Sequence, residues 1–186
     1  MKYLPTAFSQ LNFTWKLYKY ALDGNIDFNK LDIPIQSPEK ELIFGHHNQI
    51  FNTNEDLIVA IENILKVSFG VAAITLNKSR EESGIPIPKL IKTEIDQFVV
   101  LTYQIRNAFA HDISEPCWEI RNPSFLRRYE FGQISVDLTN LHNSHFDYKH
   151  IGGLEVLFLI KAYAETNVWP KAKAPLTEHN NSTRFT

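Results

Sequence analysis

The segment from Ile91 to His111 constrains this chain more than any other. Ile91, Ile95, Phe98, Thr102, Ile105 and Phe109 recur at alternating intervals of four and three, the spacing of one face of an α-helix. At about 100° per residue, Asp96, Val100, Tyr103, Asn107 and His111 gather on the other side. A purely solvated face has no use for Val100 and Tyr103. This second face is therefore expected to meet another helix or a second copy of the chain. Arg106 lies at the border, where its long side chain can swing to either face.

The rest of the chain supplies partners for such a helix. Phe8, Leu11, Trp15, Tyr18 and Leu22 mark a first helix, which Asp23-Gly24-Asn25 ends. From Asn25 to Asn52, Pro34 and Pro38 interrupt a stretch of little periodicity, read as a long loop with room for one short helix. Thr53, with Asp56 three residues later, starts a second helix running to about Asn77, its buried face marked by Leu57, Ile61, Ile64, Ser68 and Val71. Lys78 to Gly84 reads as a polar link, and Pro88 suits the first turn of the central helix. Tyr129, Phe131, Ile134, Val136 and Leu138 alternate around Gly132-Gln133, as in a hairpin, and Cys117 to Ile120 offers a further short strand. Gly152-Gly153 introduces Leu154 to Glu165, apolar on nearly every side and so a buried last helix. The expected fold is all-α, an up-and-down helical bundle with a small β-hairpin inserted before the last helix. Residues 1–168 form the single domain, and 169–186 are expected to be a mobile tail.

Composition narrows the function. With 186 residues and a formal charge of −2, the chain lacks the overall positive field of a strong nonspecific nucleic-acid binder. An enzyme with a small basic pocket remains open. The single cysteine, Cys117, cannot form an internal disulfide and is read as a buried thiol. Met1 to Thr6 lacks the apolar stretch of a signal peptide. Leu154 to Ala164 is too short to span a bilayer and carries Glu155 and Lys161, so no membrane partner and a cytoplasmic location are expected. His142, His145, Asp147 and His150 have spacings that a metal site uses, but they sit in a loop without cysteines and are read as solvated. No role falls to His46-His47, and no metal or cofactor is expected.

The chemistry concentrates in Ile105-Arg106-Asn107-Ala108-Phe109-Ala110-His111-Asp112. Asn107 and His111, four residues apart, are neighbours on a helix. Arginine supplies a permanent cation with a planar fork suited to phosphate. Histidine is the residue type whose proton moves near neutral pH. Asn107 can orient the imidazole or a substrate oxygen. Together these suit metal-free RNA cleavage, with His111 moving the proton and Arg106 stabilising charge on the phosphorus oxygens. One copy holds one such histidine, whereas the reaction is helped by both an acid and a base. Two copies meeting through the Tyr103/Asn107/His111 face would supply both.

Arg106-Asn107, followed by three residues and His111, resembles the R-x4-6-H motif of HEPN domains, with a polar residue directly after the arginine. The resemblance implies a helical bundle, often dimeric, and for many members a metal-independent endoribonuclease of toxin–antitoxin, phage-defence or RNA-processing systems. It implies that Arg106, Asn107 and His111 meet their copies near a dimer interface, that RNA or a nucleotide is bound, and that an antitoxin or regulatory protein is a possible partner. Beyond the motif it covers helix order over Phe8 to Glu165. The insertion from Ile113 to Ile151 departs from the minimal bundle, and either covers the site or replaces its function. Other readings stay open: a noncatalytic HEPN-like module binding a nucleotide, RNA or protein; a scaffold presenting Trp118, Tyr129 and Phe131 to a partner; or a purely structural pair, with Arg106 capping carbonyls and His111-Asp112 closing the helix.

Overall fold

The computed structural model describes residues 2–27, 30, 35–36, 42–44 and 53–172. His46-His47 and the tail beyond 172 lie outside the described residues. The chain is mainly helical, with a small antiparallel hairpin.

Helix α1 (Leu4–Leu22) begins with Pro5 in its first turn and buries Leu4, Ala7, Phe8 and Leu11. It packs along α2 (Asn54–Glu82), whose start is the expected capping box. There Thr53 Oγ1 accepts from the Asp56 N–H at 3.2 Å, and Asp56 Oδ2 accepts from the Thr53 N–H at 3.0 Å. The buried stripe of α2 is Leu57, Ile61, Leu65, Ser68, Ala72 and Leu76, whereas the expected Ile64 is exposed and Val71 only half-buried. The reason is that α2 is apolar on several sides. With Val59, Ile64 and Val67 also apolar, periodicity leaves the inward stripe ambiguous. This helix also contains an 18-residue window of mean hydropathy 1.9, apolar and long enough to cross a membrane by composition alone. Of that window 44% is buried inside the fold.

The second helix runs five residues past the expected stop at Asn77, from 78 to 82. Arg80, which reads as part of a polar link, is buried. Its guanidinium bonds to the carbonyl of Ile85, to Asn77 Oδ1 at 3.1 Å and to Glu81 Oε1 at 3.1 Å. Burial holds this guanidinium below the usual arginine range, opposed by Glu81 and Tyr103.

The central helix, α3, spans Glu94–Ala110, so Pro88 lies outside it and not in its first turn. A second capping box sets the start. Asp96 Oδ2 accepts the N–H groups of Thr93 and Lys92 at 2.8 and 3.0 Å, and Thr93 Oγ1 accepts from Asp96. Phe98, Thr102, Ile105 and Phe109 are buried as their spacing implies, with Ile91 and Ile95 half-buried. Val99, Val100 and Leu101 are buried as well, because α2 and the hairpin pack on α3 from different sides. The chain's own core therefore accounts for Val100, without a second copy.

In the stretch read as loop, strands β1 (Ile35–Gln36) and β2 (Leu42–Phe44) pair antiparallel. The expected hairpin forms as β3 (Arg128–Phe131) and β4 (Ile134–Asp137), with Tyr129 opposite Val136 and Phe131 opposite Ile134. Gly132 sits at φ 54° in the turn, where a Cβ would lie 3.0 Å from the Tyr163 ring. Tyr129 and Phe131 are core residues, and so is Trp118, so they form no exposed platform. Phe131 packs edge-on against Phe98 of α3.

The last helix begins as α4 (Val156–Tyr163), widens into a π-helical turn (Ala164–Val168) and finishes as α5 (Trp169–Ala172). Trp169 is only 5% exposed, so the expected tail boundary at this residue is corrected: the packed domain continues through it. Tyr163 donates to Glu94 Oε2 at 3.1 Å, tying the last helix to the start of α3. Burial and this bond push the Tyr163 hydroxyl up to about 12.

Close approach of α2 and α3 depends on Gly70. A Cβ there would lie 2.8 Å from both Phe109 Cδ1 and Ile113 Cγ1. Gly70→Val is expected to lower unfolding free energy by about 1–3 kcal/mol in a urea titration, through overpacking. An unchanged midpoint would contradict this packing.

Candidate functional site

The C-terminal half of α3 presents Tyr103 and Asn107 half-buried. His111 is the C-cap residue, so it does close the helix, and its side chain is 67% exposed. Asp112 then turns the chain. Its Oδ1 accepts the N–H groups of Ser114 and Glu115 at 2.8 and 3.1 Å, an Asx-type turn. Lys66 of α2 steadies the turn by donating to the Ser114 carbonyl at 3.3 Å. The Cys117 N–H bonds back to the Ala108 carbonyl at 3.0 Å, so residues 117–121 return alongside the end of α3.

Trp118 anchors this returning segment. Its side chain is fully buried, its N–H donates to the Ser144 carbonyl at 2.9 Å, and its carbonyl accepts from Asn143 at 2.8 Å. The indole N–H donates to His150 Nδ1 at 3.1 Å. Side chains alternate along extended backbone, so Trp118 and Ile120 point inward. Glu119 is left facing His111. The expected strand at Cys117 to Ile120 is thus reduced to a single antiparallel bridge, Cys117 with His145. Cys117 itself is half-buried rather than buried.

These elements enclose a cleft of about 240 Å³ whose lining includes Tyr103, Gln104, Arg106, Asn107, His111, Glu119, Arg121 and Phe125. Arg106 Nη1 donates to Asn107 Oδ1 at 3.0 Å, a bond to its neighbour's side chain and not to a carbonyl of the helix end. Across the cleft, Arg121 Nη2 lies 3.0 Å from Glu119 Oε2. The same oxygen stands 3.8 Å from His111 Nε2. Gln104 is buried at the cleft, and its Oε1 has no hydrogen-bond partner. Two guanidiniums and one carboxylate leave the lining locally positive in a chain whose net charge is −2. Such a site can hold an anionic group, place an imidazole beside it and exclude part of the solvent.

The three residues singled out from sequence, Arg106, Asn107 and His111, therefore line one cleft. Glu119, Arg121 and Gln104 escaped the sequence reading. Asp112 turns the chain just past the helix end, but no local pattern encodes the return path that brings Glu119 opposite His111. The histidine loop has other work: His150 Nδ1 accepts from both Trp118 and the Asp147 N–H, while His142 and His145 are exposed. Among the described residues no three His, Cys, Asp or Glu side chains converge as a metal-binding set. No family model, curated protein or solved structure matches the chain.

Trp118 is thus the structural support of the cleft's second wall. Trp118→Ala is expected to cost about 3–5 kcal/mol in chemical denaturation, the range for emptying a large aromatic site. A loss under 1 kcal/mol would show that the returning segment is held by its backbone bonds alone.

Proposed function

We propose that this chain is a HEPN-like, metal-independent endoribonuclease with Arg106, Asn107 and His111 at its centre. The observation that carries this reading is the placement of all three in one cleft of positive lining. Arg106 would bind the non-bridging phosphate oxygens and stabilise the charge that builds there. His111 would transfer a proton at the ribose 2′-oxygen or at the leaving oxygen. Asn107, already bonded to Arg106, would hold the guanidinium in place and present its amide N–H to the substrate. The reaction class is attack of the 2′-hydroxyl on the adjacent phosphorus, giving a 2′,3′-cyclic phosphate and a 5′-hydroxyl.

A homodimer belongs to this reading. Val100 takes no part in a seam, so the two copies would meet at the open end of the face, around Tyr103, Asn107 and His111, and each would bring a histidine to its partner. A noncatalytic module that binds a nucleotide, RNA or protein in the same cleft is the second reading. It is favoured by the acidic net charge, which is unusual for a protein that must hold a long polyanion.

Purified wild type, incubated with a mixed RNA pool in EDTA, is expected to leave 2′,3′-cyclic phosphate ends. His111→Ala should abolish cleavage while keeping fold and oligomeric state. Arg106→Ala should lower kcat by roughly 10²–10³, the usual loss for one charge-stabilising donor. No cleavage by folded wild type would favour the binding module.

A further inference from the structure

The Ile113–Ile151 insertion contributes a carboxylate to the cleft, and its position bears on the number of proton carriers available. In the reading above, one chain offers one histidine and a second copy must supply the other. Yet Glu119 Oε2 stands 3.8 Å from His111 Nε2, and both side chains line the same space as Arg106 and Arg121. Glu119 is not on a freely moving loop. The residue before it is fully buried and bonded through its N–H, its carbonyl and its indole. A carboxylate carried on an anchored backbone, 3.8 Å from an imidazole and paired with Arg121, stands where general acid–base chemistry needs it.

We infer that Glu119 is a second catalytic residue, so that one chain carries both the base and the acid for RNA cleavage. This rests on the ribonuclease reading. The Glu119 carboxylate takes the proton of the ribose 2′-hydroxyl as the 2′-oxygen bonds to phosphorus. The bond from phosphorus to the 5′-oxygen breaks, and the His111 imidazolium gives its proton to that oxygen. The products are a 2′,3′-cyclic phosphate and a 5′-hydroxyl. The proton on Glu119 returns to solvent while His111 regains one, so the cycle balances without metal or a further reactant. Arg121, whose side chain is 82% exposed, leaves Glu119 to hold a non-bridging oxygen from the wall opposite Arg106. Substrate binding would therefore free the carboxylate for its task.

Around Glu119 the charged or titratable groups lining the cleft are Tyr103, Arg106 and His111 from α3 and Arg121 from its own segment. The test compares wild type, Glu119→Gln and Glu119→Asp on a defined RNA oligonucleotide in EDTA, with melting curves confirming the fold. Glu119→Gln should lower kcat by about 10²–10⁴ with little change in KM, and should lose the acid-side limb of the pH–rate profile. Glu119→Asp should retain that limb with a smaller loss. An equimolar mixture of Glu119→Gln and His111→Ala proteins should stay inactive, since every cleft then lacks one group. Recovery of activity in that mixture would overturn the single-chain assignment by showing that the two groups act across copies. Wild-type kcat and an unaltered profile in Glu119→Gln would overturn it directly, leaving the ribonuclease reading intact. Wild type inert toward RNA would instead remove the reading beneath it.

Discussion

The cleft depends on how the chain reverses direction after α3. Asp112 makes the turn, the Cys117 N–H finds the Ala108 carbonyl, and Trp118 is driven into the core. Burial of a tryptophan with its indole N–H satisfied by His150 makes this reversal stable rather than incidental. Without it, Arg106, Asn107 and His111 would sit on an open helix end in water, where charge–charge interactions are weak. With it, they face a second wall carrying Glu119 and Arg121 across one cleft.

The same reversal explains why the insertion is continuous with the helical core. Trp118, Tyr129, Phe131, Ile134 and Val136 belong to one hydrophobic cluster with Phe98, Ile105 and Phe109. The hairpin thus closes one side of α3. Val100, expected on a face that meets another helix or a second copy, is buried in the chain's own core.

Much of the architecture was legible in the sequence, because local rules and global packing agree there. The Thr53–Asp56 box, the alternation around Gly132-Gln133 and the Phe98–Phe109 stripe each carry an unambiguous period or cap. Errors fell where the local signal conflicts with long-range contacts. Arg80 looks like a linker residue and is buried, because Asn77 and the Ile85 carbonyl satisfy it. Pro88 looks like a helix start, but the Thr93–Asp96 box beginning five residues on offers two reciprocal bonds that a proline cannot. Trp169 sits in a polar composition and still packs inward. For the site, the helical half was readable from spacing alone. The other half required knowing that residues eight and ten positions after His111 return to it, and no periodicity encodes that.

The central claim is that the cleft uses a ribose 2′-hydroxyl as nucleophile under purely protein-borne proton transfer. The most direct measurement is cleavage of a DNA oligonucleotide carrying one ribonucleotide, in EDTA, beside an all-deoxy control. The account predicts a single cut immediately 3′ of the ribonucleotide, leaving a cyclic phosphate, and none in the control. Cleavage of the all-deoxy strand, or cutting that appears only on adding a divalent cation, would contradict it.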